Sequence, residues 1–109
     1  MNGLQEIASF DGMLNALSNV QRRKLLVALL EHNPQEVSPV VIIDDDSEQT
    51  AHEQIVEMNH VHLPKLADYG FIEWDRENEK VSKGPAFDEI RPLVELLDNH
   101  QGELPGDWI

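Results

Sequence analysis

MNHVHLPKLADYGFIEWDRENEKVSK, residues 58 to 83, is the stretch whose reading decides the fold. Leu63 and Leu66, with Met58 and Asn59 a turn earlier, place apolar positions at helical spacing as far as Tyr69. Gly70 then supplies a residue that takes a left-handed backbone at no steric cost, which ends a helix. From Phe71 to Asp75 the period changes to two, with Ile72 and Trp74 on one face. After the polar turn Arg76-Glu77-Asn78-Glu79, the segment Lys80 to Lys83 returns as a second strand. The stretch predicts a helix, a glycine stop and a hairpin whose Ile72 and Trp74 meet Val81 over the core.

Upstream, Ser47 is a good N-cap, and SEQTAHEQ leads through Ile55, Val56 and Met58 into this helix. Two readings stand side by side: one long helix to Tyr69, or a separate helix over residues 47 to 57 with a tight turn near Asn59. Pro64 removes a backbone donor and predicts a bend between His60 and Pro64. Val37 to Ile43, VSPVVII, is β-branched and reads as a third strand on the edge of the hairpin's sheet. Asp44, Asp45 and Asp46 form a solvated acidic turn, because three consecutive carboxylates diverge and cannot surround a cation.

Further out, Ser18 and Asn19 cap a helix over Gln21 to His32 that carries Leu25, Leu26, Leu29 and Leu30 on a broad face, and Asn33-Pro34 ends it. Leu4, Ile7, Phe10, Leu14 and Leu17 recur at steps of three and four, predicting an N-terminal helix over residues 1–17. Phe87, Ile90, Leu93, Val94, Leu96 and Leu97 predict a C-terminal helix over residues 86–100, kinked or restarted at Pro92. Residues 101–109 form a tail in which Trp108 is placed to dock onto that helix. The predicted class is mainly α with a small β-hairpin, one domain over residues 1–109.

Three blocks, ALSNVQRRKLLVALLEH, HVHLPKLADYGFIEWD and GPAFDEIRPLVELLD, together resemble the winged helix-turn-helix domain of the small, acidic, ArsR-like regulators of halophilic archaea. The resemblance covers roughly residues 10 to 100. It implies a winged helix-turn-helix fold with flanking N- and C-terminal helices, and a transcriptional regulator that binds double-stranded DNA as a homodimer. The helix ending at Tyr69 would enter the major groove and the wing would lie on the flanking backbone. The subunits would meet through Leu4, Ile7, Phe10 and Leu14 of the first helix and Leu93, Leu96 and Leu97 of the last.

Charge argues the other way. With 21 acidic and 8 basic residues the net charge is −13, whereas a duplex binder carries a basic footprint. Molar salt shortens the Debye length to about 3 Å, so there only local contacts count. The bases are placed accordingly: Arg22, Arg23 and Lys24 share one helix start, Lys65 lies on the proposed recognition helix, and Arg76, Lys80 and Lys83 lie in the wing. Only Arg91 falls elsewhere. With His60 on the outer face of the helix, these seven bases are the candidate DNA contacts. Glu57 and Asp68 share that face and support a rival reading, a winged-helix module that binds another protein instead of DNA.

Other classes have less support. The chain has no cysteine, which removes disulfides, thiolate metal sensing and a cysteine nucleophile. His60 and His62 lie about 200° apart around a helix and cannot chelate together, so no metal site is expected, and His62 reads as a half-buried packing residue. No phosphate-binding glycine loop and no nucleophile with a matched base is present, so neither an enzyme nor a cofactor is expected. No apolar run approaches the ~20 residues of a membrane span, and the expected location is the cytoplasm.

Overall fold

In the computed structural model, residues 9–31, 35–36 and 51–109 are described. The elements run α1 (Phe10–Ala16), α2 (Val20–Glu31), β1 (Gln35–Glu36), α3 (Ala51–Glu57), a π-helical turn (Met58–His62), α4 (Leu63–Asp68), β2 (Ile72–Asp75), β3 (Lys80–Lys83), α5 (Phe87–Asn99) and a 3₁₀ turn (Gln101–Glu103). The fold is mainly helical with an antiparallel hairpin, as a winged helix requires.

The strands form one sheet in the order β1-β3-β2. In the hairpin Trp74 lies opposite Val81 and Ile72 opposite Lys83, so the expected Trp74–Val81 pairing is present. The third strand is Gln35–Glu36, paired antiparallel with β3, Gln35 opposite Val81 and Glu36 opposite Lys80. It stands just ahead of the expected strand, whose residues 37–43 lie outside those described, as does the acidic turn at residues 44–46.

Local chemistry explains where each helix starts. Ser9 has an extended backbone and its Oγ accepts from the Gly12 N–H at 3.0 Å, so α1 begins at Phe10. The expected single helix over residues 1–17 is therefore corrected at Ser9, and residues 1–8, Leu4 and Ile7 among them, fall outside the described residues. Asn19 Oδ1 accepts from the N–H groups of Gln21 at 2.8 Å and Arg22 at 3.3 Å, fixing the start of α2. In α5 the chain runs through Pro92 without a restart. The acceptor that Pro92 leaves without a helical donor is the carbonyl of Asp88, a residue exposed to water.

From Ala51 to Asp68 the backbone is helical throughout, which decides for one long helix over a turn near Asn59. The irregularity ahead of Pro64 takes the form of a π turn, in which the Leu63 N–H reaches the Met58 carbonyl five residues back. Pro64 has no N–H to give His60 and its ring crowds that carbonyl; the extra residue in the turn relieves the conflict, and Pro64 then sits in the first turn of α4.

α4 ends in a Schellman motif. The Gly70 N–H donates to Ala67 O at 2.9 Å and the Phe71 N–H to Leu66 O at 3.1 Å, with Gly70 at φ +81°. The same motif buries Phe71 near Leu66 and turns the chain into β2. The core gathers Leu25, Leu26 and Leu29 from α2, Met58, Leu63 and Leu66 from the long helix, Phe71, Ile72 and Val81 from the hairpin, and Phe87, Ile90 and Val94 from α5. Burying such side chains stabilises by roughly 1.5–3 kcal/mol each. The long helix and hairpin are thus held by the core, not by their own propensity.

Candidate nucleic-acid interface

Two of the expected DNA contacts are committed elsewhere, and the third base of that triplet looks outward. Arg22 is 6% exposed. Its Nε donates to Ala16 O at 2.9 Å, and its Nη2 donates to Asn15 O at 3.0 Å and Ser18 Oγ at 3.1 Å. Its Nη1 donates to His62 Nδ1 at 3.0 Å. Arg23 donates from Nε to Trp108 O at 2.7 Å, from Nη1 to Leu17 O at 2.7 Å and from Nη2 to Asp107 O at 2.9 Å, with its guanidinium 5.5 Å from the Trp108 ring centre. Burial lowers both pKa values, opposed by Tyr69 at Arg22 and by Asp107 at Arg23. The expected phosphate contacts from Arg22 and Arg23 are corrected: one guanidinium caps α1, the other straps down the C-terminal tail. Lys24 is half-exposed and lines an open cleft of about 510 Å³ with Ser18, Asn19 and Asp107.

The long helix turns Met58, His62, Leu63 and Leu66 inward, along with Gln54, whose Oε1 receives the Gln21 Nε2 at 3.5 Å. His62 is 3% exposed, more deeply buried than a packing residue at the core's edge. The outward side carries His52, Glu53, His60 and Asp68 together with Ile55, Val56 and Val61, which are 41%, 40% and 49% exposed. His60 is accessible, as expected. Lys65 is half-buried and holds its Nζ 6.0 Å from the Tyr69 ring centre. This face offers one lysine, imidazoles and branched aliphatics together with the carboxylates of Glu53 and Asp68. A lysine can meet phosphate or a guanine edge, and aliphatic side chains can meet thymine methyl groups.

In the wing the cations rest on aromatic rings. The Arg76 guanidinium lies 4.3 Å from the centre of the Trp74 ring, a contact that positions a long side chain at the tip of the hairpin. Lys83 Nζ lies 5.3 Å from the Phe87 ring and the Arg91 guanidinium 5.7 Å from it. Arg91, set apart in the sequence, therefore joins Lys83 on one aromatic residue, while also pairing with Asp88 at 3.4 Å. Lys80 is exposed and stands opposite Asp75 in the register. Asp75 is itself held ionised below its ordinary pKa by hydrogen bonds from the Asn78 side chain and backbone. Arg76, Lys80, Lys83 and Arg91 thus lie on the elements that follow the long helix, with acids interspersed.

Among the expected subunit contacts, Phe10, Leu14 and Leu96 are exposed. Leu93 and Leu97 are half-buried against the chain's own core. No helix among the described residues is long and apolar enough to cross a membrane. A family model described as a domain of unknown function, DUF7344, matches residues 14–82, from within α1 to β3. No curated protein and no solved structure matches.

Proposed function

We propose that this chain, which belongs to the DUF7344 family, is a cytoplasmic DNA-binding transcriptional regulator that acts as a homodimer. The observation that carries the reading is the run from the long helix through Gly70 into a hairpin whose far strand pairs with a strand from upstream of that helix. This arrangement presents a helix and a wing as two prongs of one rigid unit, the form in which a helix enters a major groove and a ribbon follows the adjacent backbone. Lys65 and His60 would meet the groove; Arg76, Lys80, Lys83 and, from α5, Arg91 would meet phosphates, joined by Lys24. Exposed Phe10, Leu14 and Leu96 supply apolar surface for the second subunit.

A second reading, a protein-binding winged helix, is favoured by one observation: Ile55, Val56 and Val61 form an exposed aliphatic set beside Glu53 and Asp68. Selection of bound genomic fragments at molar KCl, followed by gel shift, separates the two. DNA binding predicts that Lys65→Glu and Arg76→Glu abolish the shift, and that Lys80→Ala flattens the dependence of log K on log salt by about one. Arg91→Ala is expected to weaken binding without regard to sequence. Selection of no fragment, or shifts unchanged in both charge reversals, overturns the DNA reading, and sedimentation of a monomer at micromolar concentration overturns the dimer.

A further inference from the structure

The last turn of an α-helix leaves carbonyls without helical donors, and a cation there is favoured by the helix dipole. In α1 those carbonyls include Asn15 and Ala16, and Arg22 donates to both. The remaining arm of the same guanidinium reaches His62 in the π turn at 3.0 Å. One buried cation therefore ties the end of α1 to the middle of the long helix. The guanidinium has donors and no acceptor, so the contact exists only if His62 Nδ1 carries a lone pair. The ring must be neutral, with its hydrogen on Nε2. That nitrogen is buried without a hydrogen-bond partner, and Glu57 Oε1 lies 3.9 Å away.

We propose that Arg22 and His62 form an acid-released latch between α1 and the recognition helix, closed while the imidazole is neutral and opened when it takes a proton. Protonation at Nδ1 sets N–H against N–H and places a second positive charge beside the guanidinium in a site closed to water. The ionisable groups facing the ring are Arg22 from α2 and Glu57 from the long helix itself; Tyr69 and Arg23 act one step away, on Arg22. Burial, then Arg22, lowers the His62 pKa, and Glu57 opposes them. Opening loosens α1 and leaves the rest standing, because α1 and its C-cap contribute only Ala16 and Leu17 to the fully buried core, with Met13 partly buried against it. α1 is also held by the Arg23 Nη1 bond to Leu17 O at 2.7 Å, by Met13 against the core and by the approach of Gly12 to the Tyr69 ring. These contacts do not involve the His62 proton, so the latch supplies the pH-dependent part of its attachment.

The sign follows from linkage. A released ring binds its proton near pH 6.5 and the latched ring at lower pH, so between the two values opening takes up one proton and becomes about tenfold more favourable per pH unit. Above about pH 6.5 the latch is insensitive to pH.

Amide hydrogen exchange of the intact chain between pH 7.5 and 5.0, corrected for intrinsic rates, tests this. Protection at Met13, Leu17 and Ser18 is expected to hold steady above about pH 6.5 and fall about tenfold per unit below it, while Leu26 and Leu29 in α2 stay level. His62→Asn places a carbonyl oxygen close to the Nδ1 position and does not titrate, so the fall should vanish. Nitrogen shifts of the wild-type ring decide the matter independently should that variant not fold: a bare Nδ1 at pH 7.5 is expected. Level protection of α1 across the whole range, an equal fall in His62→Asn, or a proton on Nδ1 at neutral pH overturns the latch. The proposal holds whatever the helix binds.

Discussion

Replacing Gly84 by alanine tests the junction on which the wing is hung. Gly84 leaves β3 where the chain passes over the end of α4: its N–H donates to Phe71 O at 2.9 Å, and two residues on the Ala86 N–H donates to Gly70 O at 2.8 Å. A Cβ at position 84 would meet the Gly70 carbonyl oxygen and lie 2.8 Å from both the N and the carbonyl C of Ile72. All three obstacles are backbone, so no rotamer change makes room. The hairpin would have to separate from Gly70 by roughly 0.5 Å or more, enough to weaken one of these two hydrogen bonds. Overpacking of this kind costs about 1–3 kcal/mol and a weakened bond about 1 kcal/mol, giving a destabilisation of about 2–4 kcal/mol. In urea unfolding at molar KCl the midpoint should fall by about 1–2 M with an unchanged slope, and the melting temperature by about 10 °C or more. Gly106→Ala is the control, because a Cβ there meets nothing within 4 Å. A Gly84→Ala protein within 0.5 kcal/mol of wild type would refute the reasoning.

Two further substitutions probe other parts of the fold. Arg22→Met keeps the aliphatic stem but leaves the Ala16 carbonyl and His62 Nδ1 without the donors that Arg22 gives them, while Asn15 O keeps the Ser18 N–H and hydroxyl; a loss of about 2–4 kcal/mol in urea unfolding is expected, with α1 amides losing the most protection. Glu79 sits at φ 53° in the wing turn, a conformation that asparagine tolerates better than glutamate. Glu79→Asn should therefore raise stability by about 0.5 kcal/mol and, by removing an acid from the wing tip, strengthen any duplex binding.

The order helix, glycine, hairpin was legible because the apolar period changes on either side of Gly70, and the Trp74–Val81 register follows from that alternation. The fate of the basic triplet was only half legible. Arg22 lies three and seven residues before Leu25 and Leu29, on the same stripe of α2, and that spacing alone places it inward. What spacing cannot state is the partner that makes burying a cation tolerable: His62 is 40 residues away and Trp108 is 85 residues from Arg23. Pro64 announced an irregularity without specifying its kind, since a kink and an inserted residue both relieve the same clash. The α1 start was misplaced because hydrophobic spacing ran through Ser9, where a local cap outweighs it.

The π turn has a consequence for anyone who aligns or edits this helix. Each α-helical residue advances about 100° around the axis, so one surplus residue shifts the angular count of everything beyond it by that amount. A helical wheel drawn from Ala51 straight through Asp68 mixes two phases. Deleting a single residue between Met58 and His62 would remove that surplus and let the rod close as a plain α-helix, with Ile55 and Val56 keeping their direction relative to Lys65 but with the conflict between the Pro64 ring and the carbonyl four residues back restored.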